Sequence, residues 1–400
     1  MKKKLSILCL SYLITFAVSA QKISISLPEQ SNKEYAFILS KGIKEDTIQR
    51  GTLSFAGDVI INIPEKERYY EGMGSLQVKD ARPLNIIVNN EDFSVEQASD
   101  QKYIFKNSPE NEYLYSVIQE GARPAQDTTL YASSFIELVR YMQQLNRLTT
   151  QGGSLMDKAN ARLYALNQLD VDKLYTSGIW YNIIDGLTRL TADQQLMAEG
   201  MVRLMKRIKS QEAFEHLANN LILITEQYGW DDAFDIIVPY IEESGKIAVP
   251  QGRIFDAFAL AKIRKGTLAP VLDGLSPSLT EAGYNRTLLV FYQPDCENCH
   301  TQIERLINDY PRLKEQNIRI VSISSDTNTN KDLFAEDVKH FPWPDSDKLC
   351  DYKGFAGINF VRYGIMSTPT FFLLDEKGMV IKRYALVAAI DFNTSLKEEK

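Results

Sequence analysis

The stretch LLVFYQPDCENC at positions 288–299 decides how the C-terminal part of this chain folds. Its first five residues, 288–292, are apolar, which is typical of a buried β-strand. Beyond it, apolar side chains recur at the i, i+3, i+4, i+7 spacing of an amphipathic helix, at Ile303, Leu306, Ile307 and Tyr310. Cys296 and Cys299 therefore lie where a strand passes into the N-terminus of a helix.

That position gives the two cysteines a chemical role. Free backbone N–H groups and the helix dipole stabilise an anion at a helix N-terminus, so they favour the thiolate of Cys296. Cys299 places a second thiol one helical turn away. A thiolate with a neighbouring thiol can form and break disulfides with another molecule.

The N-terminus of the chain predicts export. Met1-Lys2-Lys3-Lys4 is followed by an apolar run over 5–18 and by small residues at Ser19 and Ala20, the pattern of a secretory signal peptide. We therefore expect residues 1–20 to be removed and the mature protein to be located in the periplasm or cell envelope. The apolar run is shorter than the ~20 residues that a transmembrane helix needs, and no later segment is apolar enough to span a membrane.

The composition is that of an ordinary globular protein: 400 residues, 44% hydrophobic and 24% charged, long enough for two or three domains. A formal net charge of −7 without a basic cluster argues against nucleic acid as a partner. Once Cys9 leaves with the signal peptide, three cysteines remain, too few for a disulfide-stapled scaffold. We expect the third of them, Cys350, to be buried and inert.

The hydrophobic period divides the chain into three parts and predicts an α+β multidomain protein. Over 21–106 apolar and polar residues alternate between turn residues, which indicates an antiparallel β-sandwich or barrel. Over 107–263 the period is helical and predicts about seven helices. Over 264–400 strands and helices alternate and end in a β-hairpin that turns at 376–378, which indicates an α/β domain with both cysteines at the carboxyl end of a central strand.

A strand, a CxxC motif, a helix and a downstream Thr-Pro together resemble the thioredoxin family. Thr368-Pro369-Thr370, followed by the apolar strand 371–375, looks like the cis-proline loop of that family. The Gly-x-x-Ala-Pro motif at 266–270 narrows the resemblance to the exported thiol:disulfide oxidoreductases of the ResA/TlpA type. The resemblance covers about residues 264–400. The β-rich part is similar to a domain of unknown function that precedes such modules in bacterial envelope proteins.

The resemblance implies roles for four residues. Cys296 is the expected nucleophile and Cys299 the expected resolving thiol. Pro369 is the expected cis-proline, which packs against the pair and leaves the backbone of Thr368 free to bind an incoming peptide as an added strand. No cofactor and no metal is implied.

The expected function is thiol-disulfide exchange with disulfide- or thiol-bearing envelope proteins, supported by a redox partner that the sequence does not identify. Two residues depart from the family pattern: Asp295 stands where Trp is usual, and Val290 where thioredoxin has a buried acid. Asp295 and Glu297 oppose a thiolate at Cys296, whereas a protonated His300 favours it. That balance favours a reductant or isomerase over a strong oxidant.

Other chemistries are compatible with parts of the pattern. Cys296, Cys299 and His300 match a c-type haem attachment motif, and His340, Cys350 or His300 are candidates to complete a zinc site. A peroxidase of the peroxiredoxin kind needs a threonine where Gln293 stands. The pair is also compatible with a structural disulfide in a non-catalytic envelope binding module. The apolar strand before the motif and the Thr-Pro after it favour the thioredoxin interpretation.

Overall fold

The computed structural model of the protein describes residues 19–124, 127–281 and 283–393. The predicted signal peptide, residues 1–20, lies outside these ranges except for its last two residues. The chain forms two compact units, Met1–Leu190 and Thr191–Lys400. None of the helices within the described ranges combines the length and the apolar character needed to cross a bilayer.

The first unit begins with two four-stranded sheets that share one apolar core. The strands are β1 (Ser19–Ser26), β2 (Glu34–Lys41), β3 (Lys44–Thr52), β4 (Asp58–Pro64), β5 (Gly72–Val78), β6 (Leu84–Val88), β7 (Phe93–Gln97) and β8 (Tyr103–Lys106). Their orders in the two sheets are β4-β1-β7-β8 and β3-β2-β5-β6. The predicted sandwich was expected to be antiparallel, but β1 and β7 pair in parallel, because the chain crosses from the second sheet and enters beside β1 in the same direction.

Five helices follow in the described part of the first unit, and side-chain hydrogen bonds to backbone groups join the first of them to a sheet and to the next helix. Asn111 accepts from the Ile87 N–H at 2.7 Å and donates to the Ile87 carbonyl at 3.0 Å, so it occupies the open edge of β6. Glu110 accepts from the N–H groups of Tyr131 and Ala132 at the start of the next helix. The helices are α1 (Pro109–Glu120), α2 (Tyr131–Thr150), α3 (Leu155–Asn167), α4 (Val171–Tyr175) and α5 (Trp180–Thr188).

The second unit opens with four more helices, α6 (Gln194–Met205), α7 (Gln211–Tyr228), α8 (Asp231–Glu243) and α9 (Gly252–Ala261). The first two begin at Asp193 and Ser210, whose side chains accept backbone N–H groups as N-caps. Gly229 ends α7 in the left-handed conformation, with φ at 63°. The methionines of α6 are buried and pack within the unit.

The rest of the second unit is an α/β layer built on a five-stranded sheet. Its elements are β9 (Arg286–Tyr292), α10 (Glu297–Glu315), β10 (Ile318–Ser324), α11 (Lys331–Asp337), β11 (Lys348–Leu349), α12 (Ile358–Tyr363), β12 (Thr370–Asp375) and β13 (Val380–Tyr384). The strand order in the sheet is β11-β10-β9-β12-β13. Strands β9, β10 and β11 are parallel, whereas β12 runs antiparallel to β9 and β13. The predicted fold class is confirmed, and β9 is the central strand that leads into the cysteines.

Helices α8 and α9 pack directly on this α/β layer. Gly364, at the end of α12, has φ +59° and lies so close to α9 that a Cβ atom there would be 2.3 Å from the Asp256 carbonyl oxygen. Asp231 of α8 forms an ion pair with Arg383 of β13. The division between the two compact units falls after Leu190, and the limits 21–106, 107–263 and 264–400 for separate domains stay a prediction.

The close approach at Gly364 predicts a stability difference between two glycines with similar backbone conformations. Replacing Gly266 (φ +80°) by alanine should cost only the left-handed backbone penalty of about 1 kcal/mol, because no atom lies within 4 Å of the new Cβ. Gly364→Ala should lower the free energy of unfolding by roughly 1–3 kcal/mol more, since α9 must shift. Equal effects of both substitutions in urea unfolding would show that α9 does not pack on α12 in this way.

Candidate active site

Cys296 is the N-cap residue of α10. Its backbone is extended, with φ −102° and ψ 109°, and its Sγ accepts a hydrogen bond from the Cys299 N–H at 3.2 Å. The Cys296 carbonyl accepts from the His300 N–H at 3.1 Å, which begins the helical ladder. The sulfur thus occupies the place that a Ser, Thr or Asp oxygen takes at most helix starts. A negative charge on this sulfur is stabilised by that N–H and by the dipole of a 19-residue helix.

The two thiols differ sharply in exposure. Both are free; Cys296 is half-buried, while Cys299 is fully buried in the apolar core between β9 and α10. Burial, reinforced by the hydrogen bond with Cys296, raises the pKa of the Cys299 thiol to about 12. The half-buried Cys296 is therefore the thiol that another molecule can reach, and the buried Cys299 keeps its proton at neutral pH.

The cis-proline loop lies beside the thiols because of strand pairing. Strand β12 runs antiparallel to β9 with Thr370 opposite Phe291, so the loop before β12 and the loop after β9 meet at one edge of the sheet. The Thr368–Pro369 peptide bond is cis. The Thr368 carbonyl oxygen is 3.9 Å from Cys296 Sγ.

The four residues singled out in the sequence thus fall in one place. Cys296 and Cys299 are joined by a hydrogen bond, Thr368 contacts Cys296, and Pro369 follows in the buried part of the same loop. The Thr368 hydroxyl also donates to the Gln293 side-chain oxygen at 3.4 Å, which ties the proline loop to the cysteine loop. The arrangement presents a half-buried sulfur, a buried sulfur behind it and a backbone carbonyl beside the first.

Charged groups around Cys296 are mostly negative. Asp295 and Glu297 are exposed on either side of it. The ring of His300 contacts the Pro294 carbonyl oxygen. Two carboxylates and one imidazole thus lie within four residues of the sulfur that caps α10.

Asp326, which the sequence interpretation did not single out, is a buried acid near this edge. It lies two residues after the end of β10, and its carboxylate accepts a hydrogen bond from the Ser324 hydroxyl. Burial raises the pKa of Asp326, and the nearby charges of Asp337 and Asp295 act in the same direction. An acid two residues after the strand at 318–324 was the available signal, since the carboxyl ends of parallel strands share one edge of the sheet.

Cys350 lies at the end of β11, next to Asp326. Its thiol donates to the Asp326 carbonyl at 3.8 Å, and its sulfur accepts from the Tyr352 N–H at 3.4 Å. Burial raises the pKa of Cys350 to about 11, so this thiol is not poised as a nucleophile. Within the described ranges no group of three or more His, Cys, Asp or Glu side chains is placed to bind a metal ion.

The difference in exposure and pKa predicts an order of alkylation. With limiting iodoacetamide at pH 8, Cys296 should react first, because only ~10⁻⁴ of a thiol with a pKa of about 12 is ionised there. Raising the pH to 9 should accelerate labelling of Cys299 about tenfold. Mass spectrometry of a Cys350→Ser variant measures both rates without interference, and equal labelling of the two thiols at pH 8 would contradict the assignment.

A family comparison adds to this geometry. Residues 267–388 match the family model described as the AhpC/TSA family. The matched segment runs from before β9 to just beyond β13, so it contains both cysteines and the cis-proline loop. No curated protein matches this sequence.

Several solved structures are similar to the chain at low identity. A thioredoxin-like protein from Parabacteroides distasonis ATCC 8503 is 22% identical over 31% of this chain and 89% of that chain, with a TM-score of 0.28. A thiol-disulfide oxidoreductase from Bacteroides fragilis NCTC 9343 is 22% identical over 30% and 90%, with a TM-score of 0.25. A thioredoxin-like protein from Bacteroides caccae ATCC 43185 is 19% identical over 67% and 94%, with a TM-score of 0.31.

The order of the elements in the C-terminal part agrees with the family match. The match covers the segment in which a central strand leads into CxxC at a helix N-terminus, with a cis-proline loop on the neighbouring strand. The C-terminal part of this chain is a thioredoxin-like oxidoreductase domain.

Proposed function

We propose that the protein exchanges disulfides with protein clients in the periplasm or cell envelope, through Cys296 and Cys299, as a reductant or isomerase. The observation that carries the proposal is the position of Cys296 Sγ at the start of α10. There it accepts the Cys299 N–H at 3.2 Å, is half-buried, and lies 3.9 Å from the Thr368 carbonyl oxygen. The export signal predicted over 1–20 supports the location.

The reaction has two steps of sulfur exchange. The Cys296 thiolate attacks one sulfur of the client disulfide, the client S–S bond breaks, and the departing client sulfur takes up a proton. Cys299 then loses its proton and attacks Cys296 Sγ, which releases the second client sulfur as a thiol. The client gains two electrons and two protons, and the Cys296–Cys299 pair is left as a disulfide. A dithiol donor must reduce that disulfide before the next cycle.

The high pKa of Cys299 suits its second role. A thiol that is protonated at neutral pH does not compete with Cys296 for the incoming disulfide. In the mixed disulfide Cys296 is neutral and no longer adds negative charge beside Cys299, which removes one of the causes that raise its pKa. The resolving thiol is thereby easier to ionise after the first step than before it.

The proline loop supplies a place for the client backbone. The Thr368 carbonyl points towards the reactive sulfur, and an extended client segment can add to this edge as a short strand. Backbone pairing holds the client without regard to its sequence. The attacked sulfur is then brought in line with Cys296.

The charges around Cys296 support the direction of transfer. A strong oxidant needs a reduced form that is stabilised by a very stable thiolate. Here Asp295 and Glu297 flank the sulfur with negative charge, while His300 and the helix start are the nearby groups of opposite character. We therefore propose that the disulfide form is comparatively stable, which makes the reduced protein a donor of electrons to its clients.

Reduction of insulin in the presence of dithiothreitol tests the activity. The mature chain, residues 21–400, is the form to use, because α8 and α9 pack on the thioredoxin-like domain. Replacing Cys296 by serine should lower the rate by at least about 100-fold, since no other thiol is placed to attack. Cys350→Ser is the matched control and should keep the wild-type rate. Insulin reduction that survives the loss of Cys296 would overturn the proposal.

A trapping experiment tests the order of the two cysteines. A Cys299→Ser variant cannot resolve the first intermediate, so it should accumulate mixed disulfides with envelope proteins that are visible on non-reducing gels and vanish on reduction. The double variant lacking both thiols should trap nothing. If complexes form equally well with Cys296→Ser, the sulfur that attacks the client is not that of Cys296. No complexes with any variant would favour the non-catalytic binding module.

A further inference from the structure

The buried thiol of Cys299 has polar neighbours as well as apolar ones. It lies in the core between β9 and α10, and burial is the largest cause of its raised pKa. Two hydrogen bonds lower that pKa: one with the backbone of Gln293 and one with the side-chain hydroxyl of Thr368. Both favour the ionised sulfur, which is the form that attacks in the second step of the proposed exchange.

The Thr368 hydroxyl has two acceptors within reach. It donates to the Gln293 side-chain oxygen at 3.4 Å, and it is also in hydrogen-bonding position to the Cys299 sulfur. A hydroxyl carries a single hydrogen, which rotates about the C–O bond to suit its surroundings. A bond of 3.4 Å is long and therefore weak. The hydrogen can turn from the amide oxygen to the sulfur without movement of the backbone.

Strand pairing fixes the position of this hydroxyl. Strand β12 runs beside β9 with Thr370 opposite Phe291, which brings Thr368 to the cysteine loop. The Thr368 carbonyl oxygen lies 3.9 Å from Cys296 Sγ, while the hydroxyl of the same residue reaches Cys299. Thr368 therefore contacts both thiols through different groups. Its backbone is the part to which the proposed exchange assigns client binding, and its side chain is left for another role.

Ionisation of Cys299 reverses the order of the two acceptors. A neutral thiol sulfur accepts hydrogen bonds weakly, so the amide oxygen of Gln293 holds the hydrogen in the reduced protein. A thiolate carries a full charge, and hydrogen bonds to charged groups are roughly twice as strong as those between neutral groups. Because Cys299 is buried, this donor acts where the interaction is strengthened by the low dielectric of the core.

We propose that the Thr368 hydroxyl is a catalytic group of the second step, in which it donates its hydrogen to Cys299 Sγ as that sulfur attacks Cys296. The inference rests on the proposed disulfide exchange and deepens it. Cys299 loses its proton to the solvent and forms a bond with Cys296 Sγ. The bond between Cys296 and the client sulfur breaks, and the client thiolate leaves and takes up a proton. Thr368 keeps its own proton throughout and stabilises the charge on the attacking sulfur.

The size of the effect follows from two opposing trends. Without the donor, fewer Cys299 thiols are ionised at neutral pH, because a hydrogen bond to the charged form is lost. Each thiolate that does form is more basic and hence a stronger nucleophile, which offsets about half of the loss on a logarithmic scale. We therefore expect removal of the hydroxyl to slow the second step about threefold to tenfold.

Stopped-flow absorbance with equimolar dithiobis(nitrobenzoate) separates the two steps, using the mature chain with Cys350→Ser. Attack by Cys296 on this aromatic disulfide releases one coloured thiolate, and attack by Cys299 on the resulting mixed disulfide releases another. Thr368→Val removes the hydroxyl and keeps the shape of the side chain. It should lower the ratio of the second rate to the first about threefold to tenfold. Thr368→Ser restores a hydroxyl and should rescue the ratio, whereas Thr368→Ala should show the loss again.

The two phases distinguish the possible failures. An unchanged ratio in Thr368→Val would overturn the role of the hydroxyl and leave the exchange intact. Equal slowing in Thr368→Ser and Thr368→Val would also overturn it, since the effect would then come from packing of the loop. A wild-type protein that releases no second thiolate would instead contradict the proposed function. If Thr368→Val does not fold, the comparison of Thr368→Ala with Thr368→Ser decides the question in the same way.

Discussion

The hydrogen bond from the Cys299 N–H to Cys296 Sγ is the contact on which the site depends. It makes a sulfur the N-cap of α10, and so it fixes the distance between the two thiols and the position of the first one relative to the helix dipole. The bond forms because β9 ends at Tyr292, just before the cysteines, and the helix begins at Glu297. A cysteine one residue earlier or later would not be the N-cap residue of α10.

Burial then gives the two sulfurs different chemistry. The same apolar core that stabilises the sheet encloses Cys299 and raises its pKa, while Cys296 remains at the surface edge. Strand pairing between β9 and β12 brings the proline loop to the same edge. One set of packing contacts thus positions the groups to which the proposed exchange assigns attack, resolution and client binding.

The local part of this arrangement could be predicted from the sequence. The apolar run at 288–292, the helical spacing after Cys299 and the Thr-Pro before an apolar strand are each short-range signals, and the structure has β9, α10 and a cis bond at Thr368–Pro369 there. The long-range part could not. The parallel pairing of β1 with β7, the five-residue helix α4 and the packing of α8 and α9 on the α/β layer depend on tertiary contacts that leave no periodic trace. Asp326 was missed because its raised pKa comes first from burial and then from the charges of Asp337 and Asp295, which only the fold brings near it.

The measurement that tests the account most directly is the equilibrium redox potential of the Cys296–Cys299 pair in glutathione buffers, read by alkylation and mass spectrometry of the mature chain. If Cys296 and Cys299 form a disulfide with each other, as the proposed exchange requires, the titration shows one two-electron couple. That couple should be more reducing than glutathione, with Cys350 remaining a free thiol throughout. Two thiols that stay reduced in oxidising buffer, or a disulfide that involves Cys350, would contradict the account.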